Sequence, residues 1–288
     1  MNRRGILLFF LIIAQIGFSQ LKHPKVSPAA SVTQEIGFTT ISIMYSRPAV
    51  RGRAIFGELV PYDRIWRVGA NESTKITVDS EVIIKDHTLA KGTYALYAFP
   101  KEKEWQIVFH KNISHWGDGR KKYKPSEDAF RIRVVPQSEE KFQENLLIYF
   151  DQLSHNSSGL IIHWANTSVT VPIQVETNKI MEKQIQEKLR ANPSAQTYYE
   201  VARYYVEEQI KYKLAVEYLK KAIELEGDTY YFYRVMSLAE AALGHYELAI
   251  IAAKKSLELA QKEGKDEFVR LNQRDMTLWT QMLKDKNE

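Results

Sequence analysis

The chain has no cysteine. That single absence excludes disulfides, thiolate nucleophiles and cysteine-ligated zinc. It also excludes a bacterial lipoprotein anchor, which needs a cysteine at its cleavage site. Charge of one sign is scarce as well: 40 basic residues face 35 acidic ones, a formal net charge of +5. Two of the basic residues, Arg3 and Arg4, fall in a segment expected to be removed, which leaves 38 against 35, or +3. So even a balance predicts no nucleic-acid partner. Long apolar runs are missing apart from Ile6–Ile16, well short of the roughly 20 residues a membrane-spanning helix needs. Serine-hydrolase elbows, phosphate-cradling glycine loops and zinc-protease helices are all absent, and no cofactor is implied.

What is present begins with a targeting pattern. Arg3 and Arg4 precede the apolar run, and Gly17 and Ser19 supply small residues before a cut that leaves Gln20 as the new N-terminus. This is the order of a secretory signal peptide. Residues 1–19 are therefore expected to be removed on export, placing the protein in the periplasm or cell envelope. Membrane contact is expected only through this segment before cleavage. A chain of 288 residues leaves room for two further domains.

Residues 20–176 read as the first of them. Alternating β-branched and aromatic residues predict strands at Ile36–Tyr45, Thr74–Asp79, Glu81–Lys85, Thr93–Phe99, Trp105–His110 and Phe130–Val135. Three more follow at Asn145–Asp151, Gly159–Trp164 and Ser168–Val175. Both alternating sets of Thr93–Phe99 are largely apolar, so that strand is expected to be covered on both faces. No helical pattern interrupts these strands, so the expected fold is an antiparallel β-sandwich or jelly roll.

At Thr177 the period changes to that of helices. Lys220-Lys221-Ala222-Ile223-Glu224-Leu225 recurs 34 residues later as Lys254-Lys255-Ser256-Leu257-Glu258-Leu259. The same displacement relates Tyr199 to Tyr233, Leu214 to Leu248 and Ala215 to Ala249. A 34-residue helix–turn–helix period is the tetratricopeptide signature. Residues 177–288 are expected to form such an array, with repeats at about 196–227 and 230–261 and a capping helix at about 266–284. The whole chain is thus an α+β multidomain protein.

Functional-looking side chains are densest between Tyr45 and Thr74. Arg47, Arg51, Arg53, Trp66, Arg67, Asn71, Glu72 and Thr74 lie there on a Gly- and Pro-rich backbone. Guanidinium forks suit carboxylate or phosphate, and Trp66 offers a stacking face. The structural alternative pairs these arginines with Glu58, Asp63 and Glu72. His110, His115 and Asp118 form an imidazole–carboxylate set, but their spacing matches no compact metal motif and no metal site is assigned. Asp79/Glu81 and Glu127/Asp128 are carboxylate pairs that nothing in the sequence places in a cleft. Of His163 and Trp164, alternation predicts one in the core and one exposed.

The runs Tyr45-Ser46-Arg47-Pro48, Arg51-Gly52-Arg53, Ile55-Phe56-Gly57, Leu59-Val60-Pro61-Tyr62 and Trp66–Thr74 together resemble a family of exported bacterial proteins, DUF2911, best known from Bacteroidetes. Lys91-Gly92-Thr93-Tyr94 and Trp105 agree with it, and the resemblance covers Ser27–Val175. It implies a secreted β-domain of unknown function, sometimes fused to tetratricopeptide helices, with no assigned activity or catalytic residues.

Three functions from different classes follow. The first is a cell-envelope scaffold whose helical repeats present Tyr198, Tyr199, Tyr204, Tyr205, Tyr230, Tyr231 and Tyr233 to a protein or peptide partner. The equivalence of Tyr199 and Tyr233 requires that several of these fill the repeat core. The second is a β-domain that binds a small anionic ligand or glycan through Arg47–Thr74. The third is a hydrolase with an unrecognised carboxylate or histidine centre. No reaction is legible, and the chain reads as a binding protein ahead of an enzyme.

Overall fold

The computed structural model describes residues 23–117 and 121–286. The expected signal segment 1–19 lies outside the described residues, as does Asp118. The chain divides between Val175 and Glu176 into two compact units.

The first unit has ten strands: β1 (Ala29–Ile36), β2 (Thr39–Ser46), β3 (Thr74–Val78), β4 (Val82–Ile84), β5 (His87–Leu89), β6 (Gly92–Phe99), β7 (Trp105–His110), β8 (Asp128–Val134), β9 (Gln137–Asp151) and β10 (Ser157–Gln174). They form a six-stranded sheet, β1-β2-β3-β6-β7-β8, and a four-stranded sheet, β5-β4-β10-β9. Neighbouring strands run antiparallel. One core joins the sheets into a sandwich: Ile41, Ile43, Ile76, Leu96, Ile107 and Phe109 of the first meet Ile84, Leu146, Leu160, Ile162 and Val171 of the second. Each such side chain, fully buried, contributes about 1.5–3 kcal/mol of transfer free energy.

Strands β1 and β5 are absent from the sequence reading. In β1 the covered face carries Ala30, Val32, Gln34 and Ile36, and small Ala30 and polar Gln34 weaken the apolar signal, while Gly37 (φ 56°) turns the chain into β2. Strand β5 is three residues long. Strand β9 starts eight residues before the expected Asn145, because Gln137–Glu144 is polar and holds its place through pairing. Strand β10 bends at Ala165 (φ 54°). Beyond the bend its second arm returns, so that Val175 N–H donates to Asn156 O at 2.8 Å. The expected division between His163 and Trp164 is corrected: Ser158–Trp164 are all buried, so both faces of that arm are covered. Strand β6 is covered on both faces, with Leu96 and Ala98 in the main core and Ala95 and Tyr97 in a second cluster with Val108.

The second unit is six helices: α1 (Thr177–Arg190), α2 (Ala195–Glu207), α3 (Tyr212–Glu226), α4 (Tyr230–Ala242), α5 (Tyr246–Lys262) and α6 (Asp266–Asp285). Asn192-Pro193 ends the first, since proline cannot continue a helix. Ser194 and Thr229 then cap α2 and α4, their hydroxyls accepting from the amides of Thr197 and Phe232. The 34-residue equivalence has a packing reason. Ala215 and Ala249 are both fully buried, and small residues there let paired helices approach. Arg203 and Ser237 are equivalent in sequence yet differ in place. Ser237 is buried, whereas Arg203 is exposed and paired with Glu207 at 2.6 Å.

Candidate functional site

The Arg47–Thr74 segment separates into two groups. Arg51, Arg53, Trp66 and Arg67 line one cleft of about 330 Å³, together with Arg64, Trp164 and Ser27. Arg47, Asn71, Glu72 and Thr74 do not line it. Arg47 Nε donates to Leu146 O at 2.9 Å, tying β2 to β9. Asn71 Nδ2 donates to Ser27 O and Ser46 Oγ at 3.0 and 3.1 Å. The Thr74 hydroxyl donates to Val68 O at 2.6 Å. Glu72 bridges to Trp116 through the backbone. These four side chains or their backbones hold the loop in place.

Trp66 is 6% exposed and belongs to the core. It stacks on Trp164 at 6.0 Å between ring centroids and meets Trp105 and Phe56 edge-on. The two indoles give the cleft an apolar wall. Arg53 is braced by its own turn, its Nε and Nη2 donating to Val50 O at 2.9 Å and Ala49 O at 2.6 Å. A Cβ on Gly69 would lie 3.0 Å from Ser46 O, so any side chain there would push the loop away from β2 by a few tenths of an ångström. Val68, fully buried, holds φ 53°, a conformation that costs a β-branched residue on the order of 1–3 kcal/mol. No acidic residue is among the described residues that line the cleft. Asp63 pairs with Lys101 at 3.0 Å, and Glu144 accepts from the Arg51 backbone amide at 2.9 Å just outside it.

A second constellation lies on the outer face of the six-stranded sheet. His110 ends β7, where the ladder shifts register after Phe109 and sets it opposite Asp128. His110 Nδ1 lies 2.8 Å from Asp128 Oδ1. Arg131 Nε donates to Asp128 Oδ2 at 2.7 Å, and Tyr123 Oη donates to the same carboxylate at 2.9 and 3.1 Å. The loop after β7 folds back on Asn112, whose Oδ1 accepts from Ser114 N and Oγ. This places buried His115 beside His110, at 5.4 Å between rings, with Nδ1 3.3 Å from Tyr97 Oη. A 3-10 turn, Pro125–Glu127, brings Glu127 Oε2 to 3.4 Å from His110 Nε2.

Burial lowers the His115 pKa below its ordinary value and repulsion from His110 adds to this, while Glu127 opposes it. Burial likewise lowers Lys75, against the pull of Glu72. Tyr123 is raised, by burial and then by its hydrogen bond to Asp128. Of the sequence-read set, His110 and His115 do come together, Asp118 lies outside the described residues, and Glu127 supplies the neighbouring carboxylate. Glu127 and Asp128 are legible in the sequence only as a carboxylate pair. Tyr97, Tyr123, Arg131 and Arg64 give no sequence signal, because strand pairing and loop paths, not spacing along the chain, place them at these sites.

These features define an antiparallel β-sandwich carrying an arginine-lined cleft, followed by a region of paired helices. The chain belongs to the DUF2911 family, described as a protein of unknown function, whose profile matches residues 27–173, slightly more than half the chain. No curated protein matches the chain.

Proposed function

We propose that this is an exported binding protein of the cell envelope whose β-sandwich captures a small anionic ligand in the cleft between Arg51 and Arg67. One observation carries the reading: Arg51, Arg53, Arg64 and Arg67 converge on one cleft whose described lining holds no carboxylate. Guanidinium groups meet carboxylate or phosphate in bidentate fashion, so a cleft lined by several arginines suits an anion. Trp66 and Trp164 supply an apolar wall for the ligand's uncharged part. Export rests on the pattern of Arg3, Arg4 and Ile6–Ile16. Among the described residues no helix is long and apolar enough to cross a membrane.

The test is titration calorimetry on the full chain with carboxylate-, phosphate- and sulfate-bearing compounds and neutral glycans. Saturable binding of an anion that weakens with salt supports the reading. Binding of neutral glycans alone, or of nothing, refutes it.

A second reading concerns the helices, which on their 34-residue period we take as tetratricopeptide hairpins that dock a protein or peptide. The surface that favours it is not the tyrosine face. Tyr204 and Tyr205 are buried, and Tyr198, Tyr199, Tyr231 and Tyr233 pack against the helical core. Leu248 and Ile251 of α5 instead stand 51% and 63% exposed. Their replacement by serine should abolish recovery of a defined cross-linked partner without unfolding the chain. Unchanged recovery removes this reading.

A further inference from the structure

We propose that His110, His115 and Glu127 form a binding site for one divalent first-row transition ion of the zinc class, with Asp128 as the group that orients His110. Each of the three offers a ligand atom, and these atoms all lie within 4.8 Å of one another. Donors bound tetrahedrally at about 2.0–2.2 Å stand roughly 3.4 Å apart. The His110 Nε2–Glu127 Oε2 edge measures 3.4 Å, and the edges to His115 are no longer than 4.8 Å.

The hydrogen-bond geometry points the same way. A carboxylate only accepts hydrogen bonds. Asp128, already receiving Arg131 and Tyr123, therefore takes the His110 proton on Nδ1. With Nδ1 engaged by Asp128, Nε2 is the ring atom that faces Glu127 Oε2, 3.4 Å away. That nitrogen is fully buried and makes no hydrogen bond among the described residues, so its position is open to a ligand. A carboxylate on the far nitrogen of a ligating imidazole is the usual means of fixing tautomer and ring orientation at metal sites. Asp128 is itself held from two further sides, and the Arg131 guanidinium lies 5.3 Å from the Phe99 ring centroid. These contacts hold Asp128 in place without an ion.

Two features temper the site. Asn112 Nδ2 donates to Glu127 Oε2 at 3.2 Å and must share that oxygen or turn away. Lys75 and Lys122 add positive charge near His115. Both set the affinity below that of an all-anionic cage and favour imidazole-seeking ions over calcium or magnesium. Two imidazoles and one carboxylate leave a coordination position open, as in catalytic zinc sites. The proposal is independent of the arginine cleft, which shares none of these residues.

The experiment uses the full chain stripped with chelator, then dialysed against Zn2+ and analysed for bound metal, with Co2+ in parallel for its ligand-field absorption. One equivalent of zinc and tetrahedral-type cobalt bands are expected. Glu127→Gln, nearly isosteric and partly exposed, should weaken binding by about tenfold or more, and Asp128→Asn by about 10–100-fold without removing a ligand. His115→Ala should abolish the cobalt bands. Substoichiometric zinc in the unaltered chain overturns the proposal. So does full binding retained in folded Glu127→Gln and His115→Ala, since the metal then sits on surface histidines such as His23 or His155.

Discussion

The Thr74 hydroxyl, fully buried at the start of β3, donates a 2.6 Å hydrogen bond to the carbonyl of Val68, which sits at φ 53°. Six residues of loop are closed by that bond. The strained Val68 conformation is retained because Thr74 and the packing around it leave no alternative. Thr74→Val keeps the shape and leaves the Val68 carbonyl buried without this donor. The expected cost is about 1–3 kcal/mol, read as a fall in urea midpoint at unchanged m-value. A variant as stable as the parent would mean that the loop holds itself.

The cleft arginines should behave differently from the loop-holding residues. Arg51 and Arg64 are exposed, so Arg64→Ala and Arg51→Ala should each change stability by no more than about 0.5 kcal/mol. Each should weaken anion binding by about tenfold or more, the value of one charge-assisted hydrogen bond. Calorimetric titration beside thermal melting separates the two effects. Arg47→Ala, which loses the bond to Leu146 O, should do the reverse.

In the helical unit, Arg234 Nη2 meets Asp275 Oδ2 at 2.6 Å with both side chains 9% exposed. Arg234 Nη1 also donates to Asn272 at 3.2 Å, linking α4 to α6. Asp275→Ala leaves a buried guanidinium unpaired, and a loss of about 3–5 kcal/mol is expected. Hydrogen exchange should show α6 opening first. A loss below about 1 kcal/mol would place the pair among those worth little.

The same carboxyl sets an acid limit. Burial pushes the Asp275 pKa upward, but hydrogen bonds from Arg274 and Arg234 outweigh it and hold it below 3.8. A carboxyl whose folded pKa is depressed stabilises the fold above its unfolded value and loses that stabilisation as pH falls through the folded one. Stability should therefore drop below about pH 4 more steeply in the parent than in Asp275→Asn. Parallel acid profiles would show that Asp275 does not contribute.

A Cβ on Gly159 would meet Thr170 Cγ2 at 2.9 Å, where the two arms of β10 lie together. Threonine is stiff at χ1 and yields little. Gly159→Ala should destabilise by about 1–3 kcal/mol, and Thr170→Ser, which removes that methyl, should restore part of the loss. A double-mutant cycle with no coupling would dismiss the contact.

Periodicity along the chain determined much of this protein. Alternation marked strands such as Thr93–Phe99 and its two covered faces, and the 34-residue displacement marked the paired helices, because both depend on which side of an element each residue faces. The family too was legible, since its motifs are contiguous runs around Arg47 and Trp66. Tertiary structure alone decided the sites. A one-residue register shift beside Phe109 sets His110 against Asp128, and the folded loop at Asn112 returns His115 to Tyr97. A 3-10 turn before β8 brings Glu127 to His110, and the long connection between β2 and β3 sets Arg51 and Arg64 along one cleft. Such contacts join residues whose separation in sequence carries no period, so only strand pairing and loop closure fix them.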